Sequence, residues 1–375
     1  MRKAALVTFC NNYAKTNYGQ VLQCYALYKK LTDLGLDVKV IPYREKGSID
    51  VIKKKLPFGW MNSLYENWLQ ENVVDTGFNA RVKKFQNFIK NSVKYDFPCY
   101  NINDVEKATN RCELLICGSD QIWNPKSLNR FYTLDFGKGT QKRISYATSG
   151  IINENETIIK RYTELGKCLD KFEYVSVREK SGAEILKKYT TANIEDVLDP
   201  TFLLDTTEWD KVSEKRLIKE PYILCYNLGG IRPYKMILRK LKDYYKAEKV
   251  VYITSNLIPN EFPGEFIEIA NAGPKEFLSL VKYSNAVCTD SFHGTAFSIN
   301  YNKQFCLLKN LTTSIFYYSD RTDNIFNKLN INIERISSLK DIKNITTIDY
   351  ADVNKLLKIE REKSLNFLKK AIAEE

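Results

Sequence analysis

The chain has 375 residues, 44% hydrophobic and 27% charged, which describes a folded globular protein and excludes wholesale disorder. That length exceeds what one ordinary core organises, so two domains are expected. A net charge of +12 and a pI near 9.0 call for an anionic partner; no zinc-finger, RNA-recognition or helix-turn-helix pattern is present, so nucleic acid is set aside in favour of a phosphorylated small molecule or an anionic membrane surface.

In chain order, the first apolar run, 4–9, reads as a strand. Its flank MRKAALVTFCNNY is too short in apolar residues for a signal peptide, and no window holds the ~18 apolar residues of a membrane span. A cytoplasmic protein is expected. GQVLQCYALYKKLTDLG then carries apolar residues at helical spacing and stops at Gly35, and 36–43 is a second strand, so the chain opens as a βαβ unit of a parallel sheet. Residues 44–100 fit neither strand nor sheet and read as an insertion; within it, basic and aromatic residues over 53–69 suit either an inserted packing helix or a membrane interface. Further strands are expected at 113–118, 143–148 and 174–178.

VLDPTFLLDTTEWDKVSEK (197–215) reads as the junction between halves. Beyond it, strands are expected at 222–228, 249–254, 285–290 and 303–308, with the clearest helix at 274–284, opened by Pro274. The last residues form a basic amphipathic helix with Val353, Leu356, Leu357, Leu365, Leu368 and Ile372 near one face. The expected division is an N-terminal Rossmann-like domain over 1–204 with the 44–100 insertion, a C-terminal one over 205–345, and a terminal helix over 346–375. Nine cysteines lie mostly in apolar runs without C-x-x-C spacing, and the chain has a single histidine, so the ligand pattern of a zinc site is lacking.

In paired Rossmann-like sheets, functional residues belong in the loops after strands. Four such loops carry unusual polar content: NNYAKTNYGQ (11–20), GSDQIWNP (118–125), REKSGAEIL (178–186) and SFHGTAF (291–297). The last holds the one histidine, His293, where a strand turns into a helix. Free backbone N–H groups gather there, so Ser291, Gly294 and Thr295 could help hold an anion, with Gly294 allowing close approach. His293 could donate to a phosphate or move a proton; the alternative is a plain helix cap with a packed imidazole. Arg178 could clamp a carboxylate or phosphate, or simply pair with Glu179. Asp120 is either a turn residue or an acid. The chain has no phosphate loop of the G-x-x-x-x-G-K-[ST] type, no H-E-x-x-H and no G-x-S-x-G.

Taken together, NYGQVLQCYAL (17–27), ICGSDQIWNP (116–125), SYATSG (145–150), VSVREKSGAEIL (175–186), VLDPTFLL (197–204) and TDSFHGTAFSINYNKQF (289–305) resemble the polysaccharide pyruvyl transferase family, in that family's order. The resemblance implies an α/β fold of two Rossmann-like domains facing a cleft, like the GT-B glycosyltransferases, with no required metal and no cofactor. It implies transfer of pyruvate from phosphoenolpyruvate, a co-substrate, to two sugar hydroxyls as a cyclic ketal, with release of phosphate. The family's donor-binding arginine and histidine carry over to Arg178 and His293. Asn17 and Tyr18 are assigned to the acceptor side, and aromatic residues near the cleft would suit sugar stacking. The family's acceptors imply a saccharide or lipid-linked oligosaccharide, with a galactose 4,6-ketal leading and N-acetylmannosamine or glucosamine derivatives as alternatives. Such work would place the protein at the inner face of a membrane. The rivals are a nucleotide-sugar glycosyltransferase of the same fold and a non-catalytic sugar- or anion-binding relative.

Overall fold

The computed structural model describes residues 1–10, 16–43, 77–96, 98–126, 128–228, 230–254, 262, 264–309 and 319–373. The expected basic-aromatic stretch at 53–69 lies outside them.

Two parallel sheets form. In the first half, β1 (Lys3–Val7), β2 (Asp37–Val40), β3 (Leu114–Cys117) and β4 (Lys142–Ser145) lie in the order β2-β1-β3-β4. The layer continues into β5 (Val175–Val177) and β6 (Ile194–Asp196), because Ser145 N–H donates to Tyr174 O at 2.9 Å and Thr148 N–H to Ser176 O at 3.3 Å. In the second half, β7 (Tyr222–Asn227), β8 (Lys249–Thr254), β9 (Ile267–Glu268), β10 (Ala286–Thr289), β11 (Gln304–Leu308) and β12 (Arg335–Ile336) run in the order β12-β11-β10-β7-β8-β9. Counted within that half, this is the 3-2-1-4-5-6 order of a doubly wound dinucleotide-binding sheet. The runs LLIC, YILCYN and AVCT are buried at every position, as strands covered by helices on both faces must be. Cys225, Cys288 and Cys306 stand side by side across three of these strands as free, buried thiols.

The strand order reverses between β1 and β3 in the first half and between β7 and β10 in the second. Ligands of such sheets bind beyond the carboxyl ends at these points. The two reversals face each other. One buried apolar cluster runs from β1 and the helix Tyr18–Asp33 through Phe85, Trp209, Phe277 and Phe297 to β7 and β10, so the halves share a core. The helix Phe78–Ser92, in the expected insertion, reaches the second half: Arg81 Nε donates to Ala270 O at 2.7 Å, and Phe85 packs on Tyr18 with centroids 4.9 Å apart.

The terminal helix Tyr350–Ile372 buries Val353, Leu357, Leu368 and Ile372, four of the residues on its expected apolar face, while Leu356 and Leu365 are half-buried. It does not stand apart. It starts on the second half, where Tyr350 Oη donates to Lys303 O, and ends on the first, where Ser364 Oγ accepts from Leu198 N–H at 2.9 Å and Phe367 packs on Tyr146 and Tyr174. Arg2 Nη1 donates to Ile372 O at 2.9 Å and so satisfies a helix-end carbonyl. Among the described residues no helix is long and apolar enough to cross a membrane.

Candidate active site

Five loops at strand carboxyl ends converge where the halves meet. They follow β3 (Ser119, Asp120), β4 (Ser149), β5 (Arg178, Glu179), β6 (Asp199) and β10 (Ser291–His293). Arg178 is the hub, 2% exposed. Its Nε donates to Glu179 Oε1 at 2.9 Å, Nη1 to Asp199 Oδ2 at 2.7 Å and Nη2 to Ser149 Oγ at 2.8 Å. Asp120 Oδ1 stands 4.0 Å from Nη2, and the guanidinium lies over the Phe292 ring at 4.3 Å. Burial alone would lower the guanidinium pKa, but Glu179, Asp199 and Asp120 outweigh it and hold it above its ordinary value. The second half also grips this turn: Asn324, in the helix Ser319–Leu329, donates to Arg178 O at 2.8 Å and accepts from Lys180 N–H at 3.2 Å.

Asp199 joins the two halves of the site. Its Oδ1 accepts from Thr201 N–H at 2.9 Å and Thr201 Oγ1 at 2.7 Å, which caps the short 3-10 turn Pro200–Phe202. Its Oδ2 accepts from Arg178 and from Ser119 Oγ at 3.1 Å, and stands 3.8 Å from His293 Nε2. Burial pushes this carboxyl up; His293, Arg178 and the Thr201 hydrogen bonds outweigh it and hold it below the usual carboxylate range.

His293 is the second residue of the helix Phe292–Asn300. The helix starts because Ser291 is extended and its Oγ accepts from Gly294 N–H at 3.4 Å. The imidazole is buried and its Nε2 has no hydrogen-bond partner among the described residues. Burial pushes its pKa down; Asp199 and Asp120 pull it up and Arg178 and Arg321 push it down further, so the net direction is downward and the ring is neutral at pH 7. From the other half, Gly19 closes against the ring so tightly that a Cβ there would lie 2.0 Å from Nδ1.

The structure brings Arg178, His293 and Asp120 into one cluster and gives each of the other expected site residues a place of its own. Ser291 caps the helix. Gly294 is needed by the fold: a Cβ there would fall 2.3 Å from Thr289 Oγ1, so its missing side chain is filled by the preceding strand. Thr295 is fully buried, with a hydroxyl that lacks a hydrogen-bond partner among the described residues. Asn17 caps its helix, accepting from Gln20 N–H at 3.2 Å. Tyr18 is 2% exposed, donates to Ala272 O at 2.7 Å and stacks on Phe277 with centroids 4.7 Å apart, as a packing residue between the halves. Sequence reasoning offered Glu179 as a partner of Arg178, which it is, and missed Asp199, Ser149, Phe292 and Gly19, although all four lie within the motif segments it singled out.

A cavity of about 470 Å³ opens beside the cluster. Ser149 and Glu179, which hold Arg178, form part of its wall, and Arg321 and Asp323 close it from the second half. That volume falls within the ~300–1,000 Å³ of small-ligand sites. Among the described residues no cluster of three or more His, Cys, Asp or Glu could hold a metal ion.

Comparison with known proteins follows the same lines. A family model for polysaccharide pyruvyl transferase matches residues 17–311. No curated protein sequence matches the chain. The solved UDP-GlcNAc 2-epimerase from Methanocaldococcus jannaschii is similar with a TM-score of 0.51 at 10% identity, over 96% of this chain and 93% of that one. The UDP-GlcNAc 2-epimerase from Neisseria meningitidis bound to UDP-GlcNAc has a TM-score of 0.48 at 11% identity, over 100% and 95% of the two chains. The glycosyltransferase SnogD from Streptomyces nogalater has a TM-score of 0.42 at 10% identity, over 97% and 95%. Likeness at such identities concerns fold alone. The family match spans most of the sequence and all the site loops: the chain belongs to the polysaccharide pyruvyl transferase family.

Proposed function

We propose that this member of the polysaccharide pyruvyl transferase family moves pyruvate from phosphoenolpyruvate onto two hydroxyls of a saccharide, forming a cyclic ketal and releasing phosphate. The observation that carries the reading is a buried His293 in the first turn of a helix, its Nε2 without a hydrogen-bond partner among the described residues and 3.8 Å from the Asp199 carboxylate that also holds Arg178.

The atoms balance without a further reagent. A proton adds to the donor methylene carbon, leaving an oxocarbenium-like centre at C2. One hydroxyl attacks that centre, and a second displaces phosphate and closes the ring. The two hydroxyl protons replace the one placed on carbon and the one leaving with phosphate. A neutral imidazole can accept a hydroxyl proton and return it to the departing phosphate oxygen. Asp199 stabilises the imidazolium formed in between, and Arg178 holds Asp199 in its ionised form. Arg178 and His293, with the helix start built by Ser291, Gly294 and Thr295, are assigned to the donor. For the proton that reaches the methylene carbon, Asp120 and His293 are the two candidates this reading carries. The acceptor taken from the resemblance is a hexose 4,6-diol, a galactoside foremost, on a lipid-linked polysaccharide precursor at an anionic membrane face, which the net charge of +12 would suit.

Thermal unfolding with phosphoenolpyruvate and with a panel of nucleotide sugars tests this, for wild type and His293→Ala. A ligand at a hundredfold its dissociation constant stabilises by about 2.7 kcal/mol. Phosphoenolpyruvate alone should raise the midpoint, and the substitution should remove the rise. Stabilisation by a nucleotide sugar instead would make the protein a glycosyltransferase of shared fold.

A further inference from the structure

Three cations gather at the amino end of the second sheet. Lys282 stands shortly before β10, Lys303 directly before β11, and Arg216 in the segment that leads into β7. The loops that build the candidate active site leave the carboxyl ends of their strands, so this group lies at the opposite end. Two adjacent residues organise it. The Arg216 guanidinium lies 5.7 Å from the centroid of the Tyr283 ring and Lys282 Nζ lies 5.3 Å from it, both within cation–π range. The carbonyl of the next residue, Ser284, accepts from Lys303 Nζ at 3.0 Å. Arg216 is fixed by donation from Nε to Ile218 O and from Nη2 to Lys219 O, each at 2.8 Å, which leaves Nη1 without a hydrogen bond among the described residues. Ser279 Oγ donates to Lys215 O at 2.8 Å and ties this segment to the helix Pro274–Tyr283.

The charges do not cancel. Asp210 pairs with Lys282 at 2.9 Å, while among the described residues neither Lys303 nor Arg216 has a carboxylate partner. Lys303 is half-buried, and burial, then Arg216 and Lys282, push its pKa down. Three positive charges against the one carboxylate of Asp210 leave two in excess, and holding them together costs stability unless an anion offsets them. A phosphate monoester carries close to that charge at neutral pH. A planar arginine fork beside two lysine point charges is also a donor set that suits phosphate oxygens. We infer that Arg216, Lys282 and Lys303 form a binding site for a phosphate group, separate from the candidate active site. The bound phosphate accepts from Arg216 Nη1 and from the two ammonium groups. An anchor at this end of the sheet leaves the loops around Arg178 and His293 uncovered. The phosphate belongs to a soluble ester or to a lipid headgroup, which share this chemistry. The inference does not draw on the pyruvyl-transfer reading.

The test is isothermal titration of the full chain with inorganic phosphate at constant ionic strength. Wild type is compared with Arg216→Gln, Lys303→Gln and His293→Ala, because under the proposed function the active site also meets phosphate. Binding should persist in His293→Ala and weaken roughly tenfold or more in each of the other two, the loss of about one charged hydrogen bond. Arg216 is exposed, so Arg216→Gln keeps the test readable should Lys303→Gln fold poorly. Cosedimentation with vesicles then separates the sources. A preference for phosphatidic acid over phosphatidylcholine that the same substitutions remove supports the site with a headgroup as its ligand. Phosphate binding without that preference supports it with a soluble ester. Wild type that binds no phosphate, or binding that is lost in His293→Ala and untouched by both other substitutions, overturns the inference. Failure of phosphoenolpyruvate to act as donor would sink the proposed function and leave this result as it stands.

Discussion

Gly19→Ala tests the join between the halves with the smallest perturbation available. The added Cβ would lie 2.0 Å from Nδ1, 2.4 Å from Cγ and 2.6 Å from Cε1 of His293. To restore an ordinary contact of 3.4 Å, the ring must move by about 1.4 Å. Neither backbone can yield easily, because each residue lies in the first turn of a buried helix, one from each half. The imidazole therefore has to rotate away from Asp199. Overpacking of this kind costs about 1–3 kcal/mol, and misplacing a reacting group by about 1 Å costs roughly a hundredfold in rate. In a helix the same substitution without a clash would stabilise by up to about 1 kcal/mol. The sign should therefore reverse in a His293→Ala background, where the ring is gone. Urea denaturation of the four proteins in the cycle and phosphate release by the single variant provide the measurements. A wild-type midpoint and wild-type turnover in Gly19→Ala would refute the packing. A stability loss of equal size in both backgrounds would place the conflict away from the imidazole.

Asp199→Asn leaves the buried Arg178 short of one countercharge and His293 short of the carboxylate that favours its charged form. Stability should fall by up to about 3 kcal/mol by urea denaturation, with turnover lost; an unchanged midpoint would mean that Glu179 and Asp120 suffice. Tyr18→Phe deletes the hydrogen bond to Ala272 and should cost about 1 kcal/mol with the acceptor KM unchanged, whereas a raised KM would restore an acceptor role to that hydroxyl. The depressed pKa of His293 has a pH signature. Below about pH 6.5 the unfolded chain takes up a proton that the folded chain does not, so the stabilisation present above that pH is lost as pH falls toward the folded-state value. Wild type should therefore lose stability between pH 7.5 and 5.5 relative to His293→Gln, and parallel curves for the two would remove the effect from this histidine.

Strands were legible wherever they are long enough to show as apolar runs. β7 and β8, six residues each, stand within a residue of their expected places, while β9 and β12, two residues each, are too short to carry a pattern. The expected site residues that the structure brings into one cluster followed the same logic, since Arg178, His293 and Asp120 each stand just past a strand. What the local pattern could not supply was direction. Tyr18 follows a strand as Arg178 does, yet its ring turns into the other half's aromatic core; Gly294 suggests access to a ligand, yet Thr289 fills the space. Asp199 was hidden for a further reason. Its partners stand at 119, 178, 201 and 293, so only folding makes it the residue that ties an arginine of one half to a histidine of the other. A buried charge is explained by its partners, and here those come from four separate stretches of chain. The same dependence makes the site hard to assemble by halves: Arg178 without Phe292 and Asn324, or His293 without Gly19 and Asp199, would lack the contacts that set its position and its charge. The shared core and the strap formed by Tyr350–Ile372 then bear on this cluster, because they join the halves that carry Asp199 and His293.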